Sequence, residues 1–369
     1  MRFLAAFLVS LSAATAPSTQ LQPLSSAEIC GRCHRAILKA WKTSAHAHAM
    51  DSPLFQQGLE LTQTDFGRQG EQTCLNCHAP IGVLTEDLAL RQKVTWEGIT
   101  CEYCHSIREI SLAGPNPKVK VEFSLVKSGP LKDVSAPIHG VTFSPIYTSA
   151  AICAPCHDYQ NSFGLRVLAT YSEWKNTHYA KEGWVCQSCH MYKVAGDLVD
   201  SKIMKSTEAK VNLHQMPGSH SLEQLTKTIK ARMNSSHKGG QLELTLEVSN
   251  VAAGHYVPTG SPMRQLILEV RVDTYDGKHY RQEKRYRRTV ADSEGNELRL
   301  EPLAFLKGAK VISDTRLAPG EKRTETFRFA VPNGVQSDVQ AVLSYFYSPL
   351  AQTELQKSIT FLTIRRLVQ

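Results

Sequence analysis

From Leu242 to Val248 (LELTLEV) every second side chain is apolar, and the same alternation returns in LEVRV from Leu268 and in TETFRFAV from Thr324. A period of two lays one face of an extended strand on a core and leaves the other in water. VLSYFY and ITFLTI are rich in β-branched and aromatic residues, and turns such as APGEK at 318 and PNG at 332 separate the runs. These intervals predict an antiparallel β-sandwich over 239–369, immunoglobulin-like although the Cys and Trp hallmarks of antibody domains are missing. Before residue 239 the pattern is helical and interrupted. Ile37 to Met50 are mostly helix formers, with Trp41 and Ala45 on one face. Ser221 and Gln224 form a capping box ahead of a helix whose Leu222, Leu225 and Ile229 share a face. At the start, Arg2, the apolar run Phe3–Val9 and the small residues Ala14 and Ala16 read as a secretory signal over 1–16. That run is too short to cross a bilayer, and no later stretch is apolar for the roughly 18 residues a span needs. The expected fold class is α+β and multidomain. A mostly helical domain occupies 24–200, a helical linker 201–238, and the β-sandwich 239–369.

Composition adds little until the cysteines are placed. The 369 residues are 42% hydrophobic, ordinary for a globular chain of two or three domains. Ten cysteines in an exported protein would first suggest disulfides. Here all ten fall in C-x-x-C-H units: Cys30, Cys33 and His34; Cys74, Cys77 and His78; Cys101, Cys104 and His105; Cys153, Cys156 and His157; Cys186, Cys189 and His190. With 14 histidines in the chain, five such coincidences have odds on the order of one in ten million. Two thiols at this spacing form thioethers to the vinyl groups on one edge of a haem, and the following imidazole becomes the proximal iron ligand. Zinc ribbons do not require a His after every pair, and an odd number of pairs cannot make Cys₄ sites evenly. A thioredoxin-like motif would occur once. The motifs therefore predict five covalently bound c-type haems, numbered below in motif order.

Five haems within 30–190 leave too little polypeptide for a conventional core around each, so the porphyrins must supply much of the core themselves. Each motif fills one axial position of its iron. A second His gives a saturated iron suited to electron transfer, and an open position gives a site for substrate. Nine histidines lie outside the motifs: His46, His48, His139, His178, His214, His220, His237, His255 and His279. Met50 and Met191 are further candidates. His46 and His48 sit in WKTSAHAHAM, whose alanines would let a flat macrocycle approach the backbone. WKNTHYA at 174–180 repeats much of that pattern around His178. In LHQMPGSHS, His214 and His220 are candidates for the fifth iron, His214 favoured. His255 stands in NVAAGHYVPTGSPMR, a Gly- and Pro-rich loop between strands; it either meets a haem or bonds locally within its turn.

The run from residue 30 to about 157 resembles the cytochrome c-554 family: CGRCH, AWKTSAHAHAM, CLNCH, GITCEYCH, then a lone His before CAPCH. The resemblance implies a mostly helical fold with stacked haems that shuttles electrons in the periplasm. Carried over residue by residue, it makes His46 the distal ligand of haem 3 opposite His105, and His139 that of haem 1 opposite His34. THYAKEG resembles the family's late distal segment, making His178 the partner of haem 4 opposite His157. In that family the second haem can lack a strong distal ligand, which puts the haem of His78 forward as the open one. The loop of His255 is similar to a G-H-x-x-P-T-G motif of multihaem cytochromes with such C-terminal domains, and His255 would ligate haem 2 or line its open face. The fifth motif and the C-terminal extension depart from the family.

Charge changes the picture only slightly. The formal +8 falls to about +3 once each ferric haem contributes roughly one negative charge through its propionates. KRYRR at 284–288 is the strongest positive cluster, and no nucleic-acid-binding module is present. The expected function is periplasmic or secreted electron transfer between redox partner proteins. The alternative is an oxidoreductase acting on a small nitrogen or sulfur oxyanion at an open haem. Pentahaem nitrite reductases of the wider superfamily use a C-x-x-C-K motif, which this chain lacks. An oligomer or a haem-lined filament would need ligands shared between protomers.

Overall fold

A computed structural model describes residues 22–205, 210–350 and 357–369. The expected signal segment 1–16 lies outside the described residues.

The C-terminal half carries eight long strands: β1 (Ile229–Lys238), β2 (Gln241–Asn250), β3 (Gln265–Thr274), β4 (His279–Ala291), β5 (Lys310–Asp314), β6 (Lys322–Phe329), β7 (Ser337–Phe346) and β8 (Ser358–Val368). They form two antiparallel sheets, one ordered β5-β4-β3-β7-β8 and the other β6-β2-β1. The alternation read from the sequence sets which side chains turn inward. Leu242, Leu244, Leu246 and Val248 of β2 meet Leu266, Leu268, Val270 and Val272 of β3 and Val339, Ala341 and Leu343 of β7 in one core. Burying each Leu contributes about 1.5–3 kcal/mol. The sheet begins earlier than residue 239, because Ile229, Ala231 and Met233 alternate with exposed Lys230, Arg232 and Asn234. The segment 201–238 is therefore only partly helical: its helix, Leu222–Thr228, is capped by Ser221 and runs directly into β1.

The N-terminal half is built from short pieces, and "mostly helical" needs correction. Its helices include Ala27–Cys30, Arg35–Trp41, Cys101–His105, Ala154–His157 and Cys186–His190. Between them lie two-stranded ribbons, such as Ile107–Ser111 with Lys118–Val121. The long element Pro53–His78 is two helical arms that double back at Gly67, whose φ of 59° and ψ of −155° break the helix. Gln63 donates to Glu71 at 2.7 Å across that hairpin. Apolar clusters here are small: Met50, Leu59, Leu75 and Ala79 in one, Ile81, Val94, Tyr103 and Ile107 in another. Instead of a core, a single continuous cavity of about 1910 Å³ runs through this half, roughly twice the upper range of an ordinary small-molecule site.

Candidate haem-binding site

All ten motif cysteines and all five motif histidines line that cavity. Most motifs are short helical turns, so the second Cys and the His project from one end of a turn toward the same space. Thr100 caps one of these turns, accepting from the backbone N–H of Glu102 at 2.9 Å. No two of the cysteines are joined in a disulfide among the described residues, and sulfurs of different motifs lie against one another: Cys30 with Cys101, Cys77 with Cys156, and Cys153 with Cys186. Burial pushes the Cys104 thiol up to about 12.

The motif imidazoles are held in one tautomer. The Nδ1 of His34, His78, His105 and His190 meets the backbone carbonyls of Leu198 (2.6 Å), Ala49 (2.8 Å), Ser128 (2.7 Å) and Pro217 (2.6 Å). A ring that donates Nδ1–H to a carbonyl presents Nε2 as a lone-pair donor, the arrangement metal-ligating histidines use. Burial lowers His78 and His105 to about 4 and His157 to about 3, so these rings are neutral at physiological pH.

Second rings stand opposite several of them. His139 faces His34 with ring centres 6.3 Å apart, His46 faces His157 at 6.2 Å, and His255 faces His190 at 6.3 Å. With a metal–nitrogen distance of about 2.0–2.1 Å and about 1.1 Å from nitrogen to ring centre, two imidazoles on one iron have centres about 6.3 Å apart. The gaps fit an iron between each pair. His214 stands close to His105 and His34, and its Nδ1 meets the carbonyl of Asn212 at 2.7 Å. His139 and His255 bond in the same way to the carbonyls of Gly140 (3.0 Å) and Tyr256 (2.9 Å).

Residues 29–106 match the family model "Cytochrome c554 and c-prime". Among solved structures, a penta-heme cytochrome c552 from Thermochromatium tepidum superposes with a TM-score of 0.74 over 94% of this chain and 99% of that one, at 20% identity. The ApaA protein from Bordetella pertussis covers 38% of this chain and 90% of its own at 13% identity, with a TM-score of 0.21 that carries no structural meaning. No curated protein matches the chain. Over residues 29–106 the chain is thus similar to the cytochrome c554 and c-prime family, and its fold is that of the penta-heme cytochrome.

The rings that face one another differ from the couples the family resemblance implies. His46 faces His157, not His105. Its stretch is a run of turns rather than a helix, held by Ser44, whose hydroxyl accepts from the Ala47 N–H at 3.1 Å. Gly98, at φ +70°, brings the GITCEYCH loop onto it: a Cβ there would lie 2.6 Å from the His46 carbonyl and 3.1 Å from the Ala49 side chain. Ile99 N–H donates to that carbonyl at 3.0 Å, and the Trp41 indole donates to the Ile99 carbonyl at 2.9 Å. The same stretch sends the Ala49 carbonyl to His78, so it sets a ring against His157 and a carbonyl on His78. His48 meets Asp51 at 2.9 Å and the Lys42 carbonyl at 3.0 Å, so both its ring nitrogens are engaged.

His178 is exposed and lies outside the cavity, its ring tilted against that of Tyr179 with centres 4.1 Å apart. Its segment has a different task, because a Cβ at Gly254 would meet Trp174 and Tyr179 at 3.3 Å. The segment is thus the wall on which the His255 loop docks. His255 faces the fifth motif's His190 rather than the second motif's His78. Glu173 on the helix Thr170–Lys175 anchors the loop, accepting from Tyr256 N–H at 3.2 Å and the Thr259 hydroxyl at 2.8 Å. Arg316 closes the clamp: it bonds Glu173 at 2.7 Å and Asp314 at 2.8 Å, and lies 4.7 Å over the Tyr256 ring. No spacing rule in the sequence marks Glu173 or Arg316. His220, the weaker candidate for the fifth iron, stacks on Tyr347 at 4.2 Å. The ring against His78 is the phenyl of Phe55, parallel within 7° at 3.7 Å.

Proposed function

We propose that this chain carries electrons through five covalently attached c-type haems, four of them ligated by two histidines. The observation that carries the reading is the 6.2–6.3 Å spacing of facing imidazoles, to which His214 beside His105 adds a fourth couple. On this reading the distal ligands are His139 for haem 1, His214 for haem 3, His46 for haem 4 and His255 for haem 5. Bound in these positions, haem supplies a one-electron couple tuned by axial ligands and burial. The thiol contacts order the path. Motif 1 touches motif 3 through Cys30 and Cys101, motif 2 touches motif 4 through Cys77 and Cys156, and motif 4 touches motif 5 through Cys153 and Cys186. Haem edges attached there lie close enough for electrons to pass between them.

The haem-bearing unit is read as 24–200, followed by a connector that includes His214, and the C-terminal unit, whose sheet begins at Ile229, is read as an immunoglobulin-like sandwich. Among the described residues no helix is long and apolar enough to cross a membrane. The signal-like first 16 residues support export to the periplasm or beyond, with redox partner proteins as the donors and acceptors. A second reading concerns haem 2: among the described residues no ring is paired with His78 at the 6.2–6.3 Å spacing of the other couples, and Phe55 only stacks on the face of the His78 ring itself. It leaves haem 2 open to a small ligand.

A haemochrome assay and low-temperature electron paramagnetic resonance on the oxidised protein test both readings. Five haems per chain with four low-spin signals and one high-spin signal are expected. Fewer than five haems would overturn the first reading, and five low-spin signals would overturn the second.

A further inference from the structure

The connector that follows the fifth motif reaches three of the proposed haem centres within residues 212–217. Its strand Lys210–Asn212 pairs with Lys193–Ala195, and Asn212 donates to the Met191 carbonyl at 2.8 Å. Beyond that strand His214 stands beside His105, and the Pro217 carbonyl meets Nδ1 of His190 at 2.6 Å. Between these two, the sulfur of Met216 lies 2.9 Å from Nδ1 of His46, the ring that faces His157. The residue before a proline is ordinarily extended, yet Met216 sits in the left-handed region at φ +48°. Its backbone is held there from both sides, and the strained turn aims a thioether at one imidazole.

That contact sets the couple of His46 and His157 apart. Of the nine imidazoles read as iron ligands, seven set Nδ1 on a backbone carbonyl. His46 meets a thioether instead, and among the described residues the ring of His157 has no hydrogen bond. A carbonyl is a strong acceptor and a thioether a weak one. A strong acceptor on Nδ1 makes the ring a more basic ligand, which favours ferric over ferrous iron. A weak one withholds that preference, so an iron between His46 and His157 takes an electron more readily. Arg264 acts in the same direction: it stands near His157, and a positive charge there disfavours the more highly charged ferric state. The position suits a resting place for electrons, because motif 4 touches motif 2 through Cys77 and Cys156 and motif 5 through Cys153 and Cys186.

We propose that Met216 is a positioning residue that makes the haem of His46 and His157 the first of the five to be reduced, so that this branch point holds an electron between its two neighbours. The assignment rests on the reading of His46 and His157 as ligands of one iron. In the step it governs, one electron leaves a reduced neighbouring haem and arrives at this iron, with no bond made or broken and no proton moved. One net hydrogen bond corresponds to a factor of about 2–12 in an equilibrium, and tenfold in a one-electron couple is about 59 mV.

Redox titration of the holoprotein, with the ferric low-spin signals followed by paramagnetic resonance as each haem is reduced, tests the proposal. His46→Ala identifies the signal, and in wild type that signal is expected to disappear first. Met216→Gln puts an amide carbonyl in reach of Nδ1 and is expected to disfavour reduction of that haem alone by about three- to tenfold. Met216→Leu offers no acceptor and is expected to leave that potential unchanged or higher. The proposal is overturned if the signal lost in His46→Ala is not the first reduced, or if Met216→Gln stays within about twofold of wild type. Equal shifts in both Met216 variants overturn it too, since lost packing alone would produce them. A His46→Ala protein that keeps every low-spin signal overturns the ligand reading as well. If one of the two positions tolerates no substitution, the outcome at the other still decides.

Discussion

Glu173→Gln probes the clamp that holds the His255 loop on the haem-binding half. Glu173 and Arg316 are each only 7% exposed, and removing one partner of a buried ion pair costs about 3–5 kcal/mol. Arg316 keeps Asp314 at 2.8 Å, and a glutamine carbonyl still accepts from Tyr256 or Thr259. The expected loss therefore falls to about 2–3 kcal/mol. With a factor of ten for each 1.4 kcal/mol, the undocked state of the loop becomes about 30- to 150-fold more populated. On the proposed pairing of His255 with His190, opening frees an iron position, so the rate of capture by an outside ligand reads the opening equilibrium directly. Rapid mixing of the ferric protein with imidazole, followed in the Soret band, should show one phase accelerated by that factor. Glu182→Gln, at an exposed glutamate in the same region, should leave it unchanged. A Glu173→Gln phase within about threefold of wild type would refute the reasoning.

Other expectations follow from the same geometry. Gly98→Ala forces a Cβ to 2.6 Å from the His46 carbonyl at φ +70°. The left-handed backbone alone costs about 1–2 kcal/mol, so one low-spin signal should broaden or convert to high spin; an unchanged spectrum would refute the contact. His46→Ala should abolish one low-spin signal, whereas His178→Ala should leave the spectrum intact, and a spectrum changed by the latter would reinstate His178 as a ligand. Glu301 has a folded pKa raised above its usual 4.5. Its contribution to stability is thus fully present below about pH 4.5 and is lost as the pH rises through the raised value. Glu301→Gln should then gain stability relative to wild type as the pH rises above about 4.5 in urea unfolding, and a pH-independent difference would count against the burial argument. Leu244→Ala, at a fully buried core position, should cost about 2–5 kcal/mol with the haem spectrum unchanged at low denaturant.

The β-half was legible because its signal is local. Period-two alternation in β2 and β7 depends on one side of a sheet being dry, and Leu242 to Val248 show it residue by residue. The strand at Ile229 was missed although its alternation is plain, because the capped helix before it drew the boundary past it. The motif residues were legible because thioether chemistry fixes their spacing. The distal ligands were not, since an axial partner is chosen by how the chain folds back in space. His46 lies between motifs 1 and 2 yet faces the fourth, and His255 comes from another domain altogether. The repeat WKxSxH and WKNTHYA was a true likeness of sequence with different consequences: one copy presents a ring to the cavity, while the other presents Trp174 and Tyr179 to a loop. Glu173 and Arg316 lie 143 positions apart, a separation no local pattern bridges.

The His255 loop also bears on how the molecule is made. The β-half has an extensive apolar core of its own, whereas the haem-bearing half has small clusters around a large cavity, so before haem attachment only the former has the means to fold. His190 and His255 can share an iron only after the fifth motif has received its porphyrin. On the proposed pairing, docking of that loop then comes last in assembly, and a chain missing that haem would offer proteases an undocked loop to cut.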